Sequence, residues 1–125
     1  MKRQRWAADH DHVFIRSLGD DLPFIREQVQ SNAAQLWRFD SPMFHLVTRV
    51  EKNARGLELV LVAAEGRGLA KHWQTLEQQM EPESFTSYRL HTTRAGIVRL
   101  MTRRGFEVGG QESGNHVLYR DLSNG

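Results

Sequence analysis

The chain has 125 residues, of which 39% are hydrophobic and 26% charged, and these values are typical of one globular domain. It contains no cysteine, which excludes disulfide bonds, thiolate catalysis and cysteine-bound zinc. A formal net charge of +2 is too small to indicate a nucleic-acid partner by itself. No apolar run approaches the roughly 18 residues of a membrane span, and the basic start leads into acidic residues, so we expect a cytoplasmic protein without a membrane partner.

The first part of the chain is predicted to be irregular. Residues 1–12 are polar and are expected to form a loosely ordered head on a single domain that spans residues 1–125. The segment Asp9-His10-Asp11-His12 holds ligand types that zinc and iron use, but no other ligand cluster in the sequence completes a coordination shell, and no metal site is expected. The short apolar patch at residues 13–15 predicts a first, edge strand.

A helix is predicted from about residue 20 to about residue 38. Asp20 and Asp21 supply an acidic cap, and Pro23 lies in the first turn, where its missing N–H group is not needed. Apolar side chains then recur at helical spacing and form a core-facing stripe: Leu22, Ile25, Val29, Ala33, Leu36 and Trp37. The segment Asp40-Ser41-Pro42 ends this helix.

The next stretch is predicted to be an antiparallel hairpin. Residues 43–50 form its first strand, residues 51–56 a polar turn that ends in glycine, and residues 57–64 its second strand. Because the second strand is an almost unbroken run of apolar residues, we expect it to be covered on both faces and to lie inside the sheet.

A glycine-rich turn, Glu65-Gly66-Arg67-Gly68, follows this strand, and Leu69, Trp73 and Leu76 predict a helix after it, to about residue 80. The first amides of a helix have no partner inside it and lie at the positive end of its dipole, so a phosphate group can bind there. The glycines are equally consistent with a tight strand-to-helix turn. The turn is neither a P-loop, which needs a Lys-Ser/Thr pair, nor a dinucleotide fingerprint, whose third glycine is replaced by Lys71.

The C-terminal half continues the alternation of strands and helices. Residues 84–91 are predicted to form a strand that pairs in parallel with the strand at residues 57–64, because a helix connects the two. A second helix at about residues 93–104, a strand at 106–108, a loop at 109–115 and a last strand at 116–122 complete the pattern. The predicted fold is therefore an α/β domain with a mixed central sheet flanked by helices.

This order of elements, together with two short motifs, resembles the GNAT superfamily of acyl-CoA-dependent N-acyltransferases over residues 44–122. The family's turn reads Arg or Gln, two residues, Gly, one residue, Gly or Ala; Glu65, Gly68 and Ala70 take those three positions, and the last two match. The segment Leu100-Met101-Thr102-Arg103-Arg104-Gly105-Phe106 is similar to the family's Leu-Tyr-x-x-x-Gly-Phe. The resemblance implies GNAT-like architecture and transfer of an acetyl group from acetyl-CoA to an unidentified amine, on a small molecule or a protein, without a metal.

The resemblance also implies a cofactor site. In this family the amides of the turn bind the pyrophosphate of coenzyme A, and the pantetheine arm lies along the end of the preceding strand, where that strand and the next one splay apart. The implied cofactor-binding residues are Val62, Ala63, Ala64, Glu65, Gly66, Arg67, Gly68, Leu69 and Ala70.

Attack by an amine on the thioester needs a base, donors for the developing oxyanion and an acid for the departing thiolate. Glu58 and His91 are the candidate bases, and the pKa of a histidine suits proton transfer near neutral pH. Met101 takes the position of the family's tyrosine acid and cannot donate a proton, so Tyr88 or Tyr119 is the candidate substitute.

Other departures from the family leave alternatives open. Glu65 places a carboxylate beside the expected phosphates, so either it points away from them or the anion site is weakened, and Arg67, Lys71 and His72 are the residues that can offset its charge. The sequence before residue 44 is expected to be too short for the family's first two strands and two early helices, which would reduce the acceptor side. A carboxylate introduced at Gly68 is expected to block anion binding and to leave the fold intact.

Two alternatives to an acetyltransferase follow. One is a non-catalytic GNAT-fold binding or structural protein, which Met101 and Glu65 favour. The other is a nucleic-acid-binding module with a basic face made by five arginines: Arg89, Arg94, Arg99, Arg103 and Arg104. Nucleic acid is the less expected partner, because aromatic residues do not alternate with these arginines and the usual nucleic-acid motifs are missing.

Overall fold

The computed structural model describes residues 1–112 and 114–122. Ser113, in the predicted loop at 109–115, and residues 123–125, at the end of the predicted domain, lie outside the described residues. The described part contains the following strands and α-helices, in chain order: β1 (Lys2–Gln4), α1 (Ala8–Leu18), α2 (Leu22–Gln30), β2 (Gln35–Phe39), β3 (Phe44–Asn53), β4 (Gly56–Gly66), α3 (Leu69–Gln79), β5 (Ser87–Thr92), α4 (Ala95–Thr102), β6 (Glu107–Glu112) and β7 (Asn115–Asp121).

The seven strands described form one mixed sheet in the order β1-β2-β3-β4-β5-β7-β6. Strands β3 and β4 form the predicted antiparallel hairpin, and β4 and β5 pair in parallel, as predicted from the helix that connects them. The other neighbouring pairs run antiparallel. The predicted fold class, a mixed central sheet flanked by helices, is therefore confirmed.

Helices cover both faces of the sheet and give the protein two apolar clusters. Helices α3 and α4 pack on one face, where the buried residues include Leu61, Trp73, Leu76, Tyr88 and Met101. Helices α1 and α2 pack on the other face, where the buried residues include Phe14, Ile25, Leu36 and Val47. None of the helices in the described ranges is long and apolar enough to cross a membrane.

The N-terminal segment is not a loosely ordered head followed by an edge strand, as the sequence suggested. Strand β1 pairs with β2, and helix α1 contains both the Asp9–His12 segment and the apolar patch at residues 13–15. The side chains of His10, Phe14 and Leu18 are buried at a spacing of four residues, which places them on one face of a helix. The backbone N–H of Ala7 donates to His10 Nδ1 at 2.8 Å and anchors the first turn.

The helix predicted from residue 20 to residue 38 is also incorrect in its second half. Helix α2 ends at Gln30, Asn32 has a left-handed backbone with φ of 66°, and the chain then enters β2. Leu36 continues the helical stripe in sequence, yet it pairs with Val47 across β2 and β3 and is buried there. A buried residue of a short strand fits the helical spacing by coincidence.

Two further predictions about the ends of the chain are corrected. The sequence before residue 44 is long enough for two strands and two helices, because β1 has three residues and α2 has nine. Residues 107–112 form strand β6, with an irregular register between Val108 and Gly110, where the sequence predicted a strand of three residues and then a loop. The two early strands and two early helices of the resembled fold are therefore present in the described chain.

Candidate functional site

The parallel strands β4 and β5 separate part of the way along their length. Among the described residues, their pairing runs from Glu58 and Ser87 to Leu61 and Leu90. Beyond that point, His91 and Thr92 of β5 pair only with β7, whereas residues 63–66 of β4 pair with β3. A gap therefore opens between the two strands at Val62, at their carboxyl ends.

An irregularity in β4 marks the same point. Thr48 of β3 pairs with Leu61 and Val47 pairs with Ala63, so Val62 is an extra residue that has no partner in this register. Val62 and Ala63 both pack against the cluster under α1 and α2, which interrupts the normal alternation of a strand. Because a bulged residue is left out of the ladder, its backbone groups are available to a ligand in the gap. The sequence carries no signal for this bulge.

The glycine turn follows the gap and requires both of its glycines. Gly66 has φ of 110° and Gly68, the N-cap of α3, has φ of 107°. A Cβ atom would lie 2.6 Å from the carbonyl oxygen of Met43 at the first position and 2.5 Å from Cγ of Pro42 at the second. A carboxylate at Gly68 would therefore disturb the fold as well as an anion, which corrects the expectation that it would act on binding alone.

A cleft of about 400 Å³ lies at this end of the sheet. Its lining joins the turn after β4 to the start of α4 and to the last turn of α1: Arg16, Ser17, Glu65, Gly66, Arg67, Thr93 and Arg94. Three arginines and one glutamate thus contribute to the lining of the cleft. Clefts at the carboxyl ends of parallel strands are the usual ligand sites of open α/β sheets.

Two expectations change with this lining. Glu65 is one of the residues that line the cleft, so its charge opposes an anion there and weakens the anion site. Arg16 and Arg94 were not expected at this site, because they come from helices far from the glycine turn in sequence. Only the fold brings them beside Arg67.

A second cleft, of about 190 Å³, adjoins the first through Ser17, which lines both. It lies between the α1–α2 region and the ends of β4, β5, β6 and β7, and His91 and Val62 line it together. Burial, followed by the positive charge of Arg89, lowers the pKa of His91 below its ordinary value of 6.5. The lowered pKa favours the neutral form of the imidazole.

Glu58 is buried and belongs to a network of charged side chains. Its carboxylate accepts hydrogen bonds from Arg89 Nη1 at 2.7 Å and from Ser87 Oγ at 2.8 Å. Arg89 Nη2 donates to Glu51 at 2.8 Å, and Arg89 Nε donates to His91 Nε2 at 3.1 Å. Since Glu58 lies four residues before Val62, about 13 Å along the strand, it reaches the gap only through this network.

Neither tyrosine lies at the gap. Tyr119 is partly exposed and lines a third cleft together with Glu58, toward the other end of the sheet. Tyr88 is fully buried between Trp73 and Phe106, burial raises its pKa to about 12, and its hydroxyl has no hydrogen-bond partner among the described residues. Met101 is fully buried in the same core. The structure thus brings Glu58 and Tyr119 together, and it places His91 elsewhere, beside the gap.

The residues that suggested a nucleic-acid-binding face or a metal site do not lie together in the fold. Arg89 is held in the network beside α1 and α2, whereas Arg99 lies on α4, which packs on the opposite face. The Asp9–His12 segment lies on α1, where Asp11 pairs with Arg26 at 2.7 Å. Within residues 1–112 and 114–122, no three His, Asp or Glu side chains are placed to hold a metal ion.

The order of the elements, the separating parallel strands and the glycine turn define the GNAT N-acetyltransferase fold, and this chain has that fold. It is similar to the crystal structure of N-acetylglutamate synthase from Neisseria gonorrhoeae, complexed with coenzyme A and N-acetyl-glutamate, with a TM-score of 0.53 and 10% identity. That match covers 97% of this chain and 35% of the synthase chain.

A second similar structure is PaiA N-acetyltransferase from Thermoplasma acidophilum in complex with coenzyme A. The TM-score is 0.48 and the identity 14%, over 93% of this chain and 80% of that chain. No protein-family model matches the sequence, and no curated protein matches it. At these identities, the likeness to solved structures establishes the fold alone.

Proposed function

We propose that the protein transfers an acetyl group from acetyl-CoA to an amine. The observation that carries this proposal is the cleft at the glycine turn, which is lined by Arg16, Arg67 and Arg94 and lies beside the gap between β4 and β5, just before the chain enters α3. Cationic side chains and free helix amides are the groups that bind phosphates. The solved structure with the same fold also contains coenzyme A, which supports the choice of ligand.

In this proposal, different residues bind different parts of acetyl-CoA. The turn at residues 65–70, together with Arg16, Arg67 and Arg94, binds the pyrophosphate. The backbone of Val62, Ala63 and Ala64 binds the pantetheine arm, since β5 does not pair with these residues. The acyl group then lies at the gap, next to the second cleft, which admits the amine.

The reaction needs no metal and no covalent enzyme intermediate. The nitrogen lone pair of a neutral amine attacks the thioester carbon, the new C–N bond forms, and the C–S bond breaks with its electron pair left on sulfur. The amine loses one proton to a base, and the thiolate takes up one proton, so the reaction is balanced. Water in the gap is the proposed first acceptor of this proton, because Glu58 lies about 13 Å along β4 from Val62 and both of its carboxylate oxygens already accept hydrogen bonds.

Calorimetric titration with acetyl-CoA tests the binding half of the proposal, with desulfo-CoA and ATP as comparison ligands. Wild-type protein is expected to bind acetyl-CoA saturably. Arg67→Glu should weaken binding roughly tenfold or more, because a charged hydrogen bond is lost and a repulsive charge is added. Arg103→Glu, an exposed position near the end of α4, makes the same change in net charge away from the cleft and should leave the affinity unchanged.

A substitution at Glu65 tests the site by an expected gain in affinity for acetyl-CoA. Glu65→Gln removes the only carboxylate that lines the described cleft and should tighten acetyl-CoA binding several-fold. Absence of binding in wild-type protein, or equal affinities in Arg67→Glu and Arg103→Glu, would contradict the proposed site. Binding without turnover of any amine in a screen would favour the non-catalytic alternative.

A further inference from the structure

We infer that Arg89 is a positioning residue that fixes the proton of His91 on Nδ1, so that His91 meets the acyl group as a hydrogen-bond donor and not as a base. The inference rests on the proposed function for its substrate. The arrangement of the two side chains stands independently of it.

The hydrogen bond between the two side chains determines which ring nitrogen is protonated. Arg89 and His91 lie two residues apart on β5 and so project from the same face of the sheet. A guanidinium group can only donate, and Arg89 Nε lies 3.1 Å from His91 Nε2. His91 Nε2 must therefore accept, which leaves Nδ1 as the nitrogen that carries the proton in the neutral ring.

Two carboxylates prevent Arg89 from turning away. Its Nη1 donates to Glu58 on β4 at 2.7 Å and its Nη2 donates to Glu51 on β3 at 2.8 Å. Because all three guanidinium nitrogens are engaged, the Nε–H group cannot leave His91 without breaking two ion pairs. A lysine has no such fork and cannot make the three contacts at once.

The surroundings of His91 also oppose a second proton. A proton on Nε2 would face the N–H group of Arg89 and place a cation beside a cation. The charged groups around the ring are Arg89 on its own strand, Arg49 and Glu51 on β3, and Glu112 on β6, with Asp21 in the same cleft. The network already neutralises Glu51, which lies 2.8 Å from both arginines. Burial is the largest of the influences that keep the ring neutral.

His91 is left with one free donor beside the gap. Nδ1 has no hydrogen-bond partner among the described residues, and His91 lines the second cleft together with Val62, where the thioester is proposed to lie. An N–H group in that place stabilises the negative charge that develops on the thioester oxygen as the amine attacks. His91 keeps its proton throughout, and the proton of the amine goes to another acceptor.

Long-range ¹H–¹⁵N NMR of the imidazole groups tests the tautomer in the wild-type protein without any ligand. His91 is expected to show an unprotonated Nε2 and a protonated Nδ1 near neutral pH. Arg89→Lys should shift the His91 signals toward the Nε2-protonated form. Arg49→Lys alters the other half-buried arginine of the network, which makes no bond to His91, and it should leave the tautomer unchanged. A protonated Nε2 in the wild type, or an unchanged tautomer in Arg89→Lys, would overturn the inference.

The donor role is tested by adding acetyl-CoA and, separately, coenzyme A, which lacks the acetyl group. The His91 Nδ1 signal should move with acetyl-CoA and stay in place with coenzyme A. If calorimetry shows that acetyl-CoA binds and the signal does not move, the donor role is wrong. If calorimetry shows no binding, the proposed function and the donor role are both wrong. The spectrum of the ligand-free protein still decides whether Arg89 fixes the tautomer.

Discussion

Arg89 and Glu58 form an ion pair across the parallel strands β4 and β5, with 2.7 Å between Nη1 and Oε1. The side chain of Glu58 is 8% exposed and that of Arg89 is 20% exposed, so water screens the pair little. The carboxylate also accepts a hydrogen bond from Ser87 Oγ, which engages both of its oxygens. A buried charge that keeps such partners is tolerated, and one that loses them is strongly destabilising.

Arg89→Met is therefore expected to lower the free energy of unfolding by about 3 kcal/mol, because it leaves Glu58 buried and uncompensated. Arg120→Met is the control. Arg120 pairs with Glu77 at the same distance of 2.7 Å, but both side chains are about a third exposed, and the expected loss is about 0–1 kcal/mol. Urea unfolding measures both values. Similar losses in the two variants would show that burial of the Arg89 pair has little effect on stability.

The sequence predicted the centre of the sheet because its signals there are local. An unbroken apolar run, two glycines and a change of period are enough to define β4, the turn and α3, and the connecting helix then fixes the parallel pair. The N-terminal half gave weaker signals. Phe14 was assigned to a strand because its apolar run is three residues long, although its spacing to His10 and Leu18 is helical. Leu36 was assigned to a helix because it continues the helical spacing of the residues before it, although it lies in the short strand β2.

The site was only partly predictable, because it is built from residues distant in sequence. The glycine turn was found by its composition, but Arg16 and Arg94 join it only when α1 and α4 pack on opposite faces of the sheet. The bulge at Val62 depends on the register between β3 and β4, which residue types alone do not fix. Similarly, nothing in the sequence pairs Glu58 with Arg89.

The glycine turn leads to a second prediction about stability. Gly68→Ala should lower the free energy of unfolding by more than Gly110→Ala, since both glycines have positive φ but only Gly68 is crowded. The backbone penalty common to both is about 1–3 kcal/mol. Contact of the new methyl group with Pro42 should add about 1–3 kcal/mol at Gly68.

Thermal or urea unfolding of the two alanine variants measures this difference. A Cβ atom at Gly110, whose φ is 136°, would have no heavy atom within 4 Å, which makes this position a control for backbone strain alone. Equal losses of unfolding free energy in the two variants would mean that the segment around Pro42 shifts to accept the methyl group without loss of stability.

A third prediction concerns pH and the buried ring of His45. His45 packs edge-on against His10, with 5.6 Å between ring centroids, and its burial, followed by the charges of His10 and Arg38, lowers its pKa below 6.5. The unfolded chain thus binds a proton more readily than the folded one, so stability is full above about pH 6.5 and falls as the pH decreases.

Urea unfolding between about pH 7.5 and pH 5.5 should show this loss. It should be smaller in His45→Gln, though not absent, because His91 contributes in the same direction. Equal slopes in the wild-type protein and in His45→Gln would contradict the assignment.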